Sequence, residues 1–139
     1  MAMTTEWLIL ADAAEIVAGK LYLMGGGWDT LNVTQPFPIT KQTGLAASFT
    51  IPWNDTNQKH DVEIEVCTED GQTLAKINGQ LEAGRPAGVL AGTSQRAQIA
   101  ASLPLEFKGA GVFSIISRIA GQEDARTHFR VVGAQNARA

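Results

Sequence analysis

The sequence predicts an all-β fold, an antiparallel two-sheet β-sandwich of about eight strands. Three observations carry that expectation. Apolar and polar residues alternate with period two in segment after segment, clusters of Gly, Pro, Asn and Asp separate the segments, and several separators read as hairpin turns. One domain is expected over residues 1–139, because a chain of this length encloses one core and buries roughly two thirds of the surface its unfolded form exposes. Composition agrees, since 45% hydrophobic and 18% charged residues lie far from the low-hydrophobicity regime of disorder. Residues 1–5 and 134–139 read as flexible tails.

The chain opens on two apolar segments, Trp7 to Val17 and Leu21 to Met24, that meet at Gly19-Lys20. Trp7, Leu10, Ala14 and Val17 also recur at helical spacing, with Gly19 placed to cap a helix. The continuous run Leu8-Ile9-Leu10 and its junction with an evident strand favour a hairpin of two strands. Interrupted by Asp12, Glu15 and Lys20, the pair falls short of the about 20 apolar residues that span a bilayer. Gly25-Gly26-Gly27 ends the hairpin in a bend. Next, Leu45 to Ile51 alternates and stops at Pro52, which has no amide proton to continue a ladder.

The clearest strand is His60 to Cys67, with Val62, Ile64 and Val66 on one face and Asp61, Glu63 and Glu65 on the other. Asp70-Gly71 marks the turn into a strand from Ala75 to Glu82. Another strand is expected around Gln95 to Ala101. Val112 to Ile119 and Thr127 to Val132 flank Ala120–Asp124 as a last hairpin, with Phe113, Ile115, Phe129 and Val131 pointing inward. About eight strands at this spacing indicate two packed sheets, since one open sheet would leave its apolar face uncovered.

In order along the chain, Leu8-Ile-Leu-Ala-Asp12-Ala, Gly19-Lys20-Leu-Tyr-Leu-Met-Gly25-Gly-Gly-Trp28-Asp29, Pro36 and Pro38, Asp70-Gly71, Leu103-Pro-Leu, Gly109 to Phe113, and Phe129-Arg-Val-Val132 form a series. It resembles an uncharacterised bacterial family of small domains, DUF6941, over nearly the whole chain. The resemblance implies a β-sandwich and assigns neither an activity nor catalytic residues. This sequence departs in having Phe113 after Gly111-Val112 and a longer loop from Gly84 to Gly88.

Charge is unevenly placed. Asp55, Asp61, Glu63, Glu65, Glu69 and Asp70 against Lys59 give the stretch 54–70 a charge of −5. Lys108, Arg118, Arg126, Arg130 and Arg138 against Glu123 and Asp124 give 108–139 a charge of +3. Two solvated strand faces account for this, and a head-to-tail contact between copies is the sharper alternative. The net charge of −3 speaks against nucleic acid as partner, and no segment suits a membrane. Cys67 is the single cysteine, which excludes an intrachain disulfide. Met1 to Glu6 lacks the marks of a secretory signal, so a cytoplasmic setting, or one within a bacterial or phage particle, is expected.

Candidate chemistry is sparse. Gly25-Gly26-Gly27 is followed by Trp28-Asp29 rather than by the helix that a phosphate loop needs, which leaves the bend as the favoured reading. Asp55 with Asp29, Asp70 or Asp124 could supply carboxylates to calcium, yet the loops lack dense Asp-x-Asp spacing, and Asp is common in turns. His60, His128 and Cys67 are one donor short of a structural zinc site, so no metal and no cofactor are expected. Acidic neighbours of Cys67 disfavour a reactive thiolate. No serine sits in a Gly-x-Ser-x-Gly elbow.

The irregular stretch Gly84 to Ser94 is the strongest interaction element, because it mixes loop formers with apolar Val89 and Leu90. Arg85, Pro86, Val89 and Leu90, with Trp53 from the Pro52–Asn57 turn, are therefore the candidate partner-binding residues. Equally open is that Val89 and Leu90 fold back to plug one end of the sandwich. The functional expectation is a non-catalytic binding or scaffold module with a protein partner or self-association. A structural subunit of a bacterial or phage assembly is the alternative, and an enzyme of unknown type comes last.

Overall fold

The computed structural model describes residues 2–133. The expected tail 134–139 lies outside the described residues. Among the described residues the fold is all-β apart from one 3₁₀ turn, Trp53–Asp55. Its strands are β1 (Thr4–Ala11), β2 (Ala13–Val17), β3 (Lys20–Met24), β4 (Thr30–Val33) and β5 (Ile39–Ile51). They continue with β6 (His60–Thr68), β7 (Thr73–Leu81), β8 (Gln95–Phe107), β9 (Gly111–Ile119) and β10 (Gln122–Gly133).

Among the described residues ten strands form three sheets, which corrects the expectation of eight strands in two. One sheet has the order β1-β5-β8, a second β4-β10-β9-β6-β7, and β2-β3 is a separate ribbon. Two local features account for the difference. Residues 7–17 are extended as expected but break at Asp12, so β1 joins the β5 edge while β2 leaves the sheet and pairs with β3. Short β4 pairs in parallel with β10, a long-range partnership that local periodicity does not encode. At the N-terminus, Thr4 and Thr5 pair with Thr50 and Phe49 and Met3 is buried, unlike a flexible tail.

The two larger sheets face one another across the core. Leu10, Leu45, Ala47, Phe49, Ile51, Leu105 and Phe107 come from the first sheet. Val62, Ile64, Val66, Phe113, Ile115, Phe129 and Val131 come from the second, so every residue of the inward set read from alternation is buried. Phe107 packs edge-on to Phe113 and Phe129, at centroid separations of 5.0 and 6.1 Å, and ties the two sheets together.

β5 is buried on both faces from Thr43 to Phe49 because the ribbon lies across its outer side. Small residues permit that approach. A Cβ on Gly44 would stand 2.5 Å from the Ala13 carbonyl carbon and 2.6 Å from the Ala14 nitrogen. Gly44 pairs with Ser102, whose hydroxyl accepts from the Ala14 N–H and donates to the Ala14 carbonyl, both at 3.0 Å. The glycine run is the expected bend, with positive φ at Gly25 and Gly27. Asp12 explains the first of these glycines, since its carboxylate fills the space that a Cβ on Gly25 would need. That carboxylate also holds Lys41 at 3.2 Å.

The acidic and basic segments meet inside the chain, because β6 and β9 are hydrogen-bonded neighbours. Arg118 bridges Glu63 at 2.6 Å and Glu65 at 2.7 Å on the outer face of the second sheet. The Thr73 hydroxyl, assisted by Arg118, holds Glu65 below its ordinary pKa despite burial. A depressed carboxylate contributes stability above its unfolded value, about 4.3 for glutamate, and that contribution is lost as pH falls through the folded value. Thermal melts should therefore drop as pH is lowered beneath the glutamate range. Glu65→Gln should lower stability at neutral pH by about 1–2 kcal/mol and flatten that acid slope. An unchanged slope in the variant would remove Glu65 from the account.

Candidate functional site

One end of the core is closed by the β5–β6 connection and the long β7–β8 loop. Pro52 stops β5 and starts the 3₁₀ turn, in which the Asp55 N–H donates to the Pro52 carbonyl at 2.9 Å. Trp53 is thereby held at the rim, half-buried. Buried Thr56 follows, and its hydroxyl donates to the Trp53 carbonyl at 2.7 Å. His60 Nε2 lies 2.7 Å from the Asp55 carbonyl and fixes the far side of the turn.

Arg85 fastens the other loop to this turn. Its Nε donates to Thr56 Oγ1 at 2.7 Å, its Nη2 donates to the Trp53 carbonyl at 2.8 Å, and the guanidinium carbon lies 3.8 Å from the Trp53 ring centroid. Such a stack adds cation–π attraction to the hydrogen bonds and leaves a flat, rigid cationic surface. The Asn57 N–H donates to the Ala83 carbonyl at 2.7 Å, and Gln95 donates to the Gly84 carbonyl, so the loop is pinned at its root.

Beyond Arg85 the loop makes two successive turns. The Val89 N–H donates to the Pro86 carbonyl at 3.2 Å and the Thr93 N–H donates to the Leu90 carbonyl at 3.1 Å. Gly88 and Gly92 sit third in each turn with φ of +92° and +86°, as a type II turn requires. Leu90 stands at the junction, 78% exposed, while Val89 is half-buried and Pro86 exposed. The structure thus joins Trp53 to Arg85 directly and sets Pro86, Val89 and Leu90 on the same pinned loop. Leu90 does not plug the end of the core. Sequence reading missed Thr56, whose role depends on a loop almost thirty residues away; a threonine three residues after Trp53 was its only local signal.

The remaining candidates are dispersed. Asp70 accepts from the Thr68 hydroxyl and Asp29 from the Thr30 hydroxyl at 3.1 Å, each from a near neighbour in the chain, whereas Asp124 of β10 accepts from the Thr5 N–H of β1 at 2.5 Å. No group of three or more His, Cys, Asp or Glu side chains is placed to hold a metal among the described residues. Burial, then Glu65, pushes the Cys67 thiol up. His128 Nδ1 instead lies 3.1 Å from the Ser114 hydroxyl. At the opposite end of the core, a depression of about 630 Å³ lies between the β6–β7 and β8–β9 turns, lined by Glu69, Asp70, Glu106 and Lys108 among others. Asp70-Gly71 and Gly109 mark those turns in the sequence, but nothing local shows that they lie side by side.

A family model described as a family of unknown function, DUF6941, matches residues 6–132. The chain belongs to that family. The matched span of this DUF6941 member runs from β1 into β10 and includes both loops of the Trp53–Arg85 end. No curated protein matches it. Among solved structures it is similar to Pseudomonas fluorescens alkylpurine DNA glycosylase AlkC bound to DNA containing an abasic site analog. Identity is 12% over 90% of this chain, at a TM-score of 0.41, and this DUF6941 member spans about 30% of that enzyme's length. A likeness that slight bears on neither fold nor function. No helix among the described residues is long and apolar enough to cross a membrane.

Proposed function

We propose that this chain is a non-catalytic binding module, or scaffold, that takes a protein partner at the end carrying Trp53, Arg85 and Leu90. The observation that carries the reading is the exposed Leu90 on a loop held in place by Arg85 and Gln95. An apolar side chain presented on a preorganised loop loses little conformational freedom when covered, so more of its burial energy is expressed as affinity. Arginine and tryptophan are the residue types most often found at the energetic centre of protein interfaces. Pro86 and half-buried Val89 flank this centre and add contact area.

The test is affinity capture from the native host with the wild-type chain and with Val89→Ser/Leu90→Ser. Both side chains lie outside the core cluster, so the variant should fold with unchanged melting behaviour. Loss of an exposed anchor of this size should weaken capture by about tenfold or more. An identical captured set at equal yield would count against the reading.

A further inference from the structure

Of the six most exposed large apolar side chains among the described residues, three lie on the β2–β3 ribbon: Val17 at 47%, Tyr22 at 52% and Met24 at 72%. They share its outward face, because Tyr22 and Met24 are two residues apart and Val17 pairs with Lys20. The ribbon closes through Ala18 and Gly19, with φ of +50° and +76°, the signature of a two-residue type I′ turn. Such a turn makes Val17–Lys20 a hydrogen-bonded pair. Alternation then bonds Glu15 to Tyr22 and Ala13 to Met24, and it directs the backbone groups of Ala14, Ile16, Leu21 and Leu23 away from the ribbon.

The two edges differ in what meets them. On the β2 edge, the Ser102 hydroxyl engages both the N–H and the carbonyl of Ala14. Along β3, among the described residues, no hydrogen bond from outside the ribbon reaches Leu21 or Leu23. An open edge with apolar side chains on both faces is a template for a further strand, and a two-stranded ribbon is the arrangement that gains most from one.

The edge is complementary to itself. About a twofold axis through Tyr22, Leu21 opposes Leu23 of the partner subunit, so every outward N–H of one edge meets an outward carbonyl of the other. Tyr22 then faces Tyr22 of the partner subunit, and Lys20 faces Met24 of the partner subunit, which brings no like charges opposite one another. We propose that β3 pairs antiparallel with β3 of a second copy of this chain, joining two ribbons into a four-stranded sheet.

Light scattering on the full chain tests this, with Tyr22→Lys and Tyr22→Glu as variants. The wild type should show twice the 14.8 kDa chain mass. Each variant alone sets like charges across the axis and should weaken the dimer about tenfold or more. An equal mixture of the two variants should restore the dimer, a rescue that a misfolded ribbon does not give. A wild type still monomeric at about 1 mM would overturn the proposal. So would a dimer unaffected by either variant, or a monomer whose β3 edge pairs only with added extended apolar peptides.

Discussion

Replacing Phe107 with alanine is expected to destabilise the domain by about 3–5 kcal/mol, a large share of what a single domain possesses. Phe107 is 1% exposed and sits near the end of β8, where it meets Phe113 of β9 and Phe129 of β10 edge-on. Removing the ring deletes apolar contact on both sides of the core, and neighbouring strands tied into separate sheets collapse only partly into the space. Because Phe113 and Phe129 are themselves stacked at 5.4 Å, the aromatic cluster loses its link to the first sheet but not its internal pair. Urea unfolding should show a lower midpoint with an unchanged slope. A loss under 1 kcal/mol would mean that the sheets do not pack through this ring.

Replacing Gly44 with alanine should cost about 1–3 kcal/mol, an overpacking penalty, although the substitution enlarges the residue by a single methyl group. Its φ is not the reason. The added carbon would press on backbone atoms of Ala13 and Ala14, which cannot swing aside as a flexible side chain would. The ribbon must lift, and the Ser102 bonds to Ala14 go with it. Hydrogen exchange should therefore accelerate at Ala14 and along β2, while amides of β6 and β9 in the second sheet keep their protection relative to global stability. Uniform acceleration across both sheets would contradict the layered placement of the ribbon.

Those two residues illustrate what the sequence makes legible. Alternation identified β6, nearly all of β9, the second half of β10, and the inward aromatic set, because a strand with one face on a core must repeat every second residue. Asp70-Gly71 located its turn, where Gly71 has a φ of +90°. Pro52 ended β5 for a reason local to its ring. Harder to read was anything decided by a distant neighbour. Gly44, Ala46 and Ser48 look like the solvent face of an ordinary strand, and only their small size signals that another backbone lies against them.

Glu65 misleads in the same way. Its alternation with Ile64 and Val66 predicts a solvated carboxylate, yet it is buried beneath cross-strand partners that are 8 and 53 residues away. The candidate interaction end was half legible. Loop composition selected Arg85 and Leu90, and an aromatic in a turn selected Trp53, but the stack between them requires β7 and β8 to return to the β5–β6 turn.

The most direct measurement replaces Leu90 with a photoreactive residue in the native host and, as a control, the exposed Asn78 of β7. Illumination of the position-90 chain should yield a covalent adduct with one protein that Arg85→Ala abolishes, and the position-78 chain should not yield it. Adducts equal at both positions, or unchanged by Arg85→Ala, would contradict a partner site at this end of the domain.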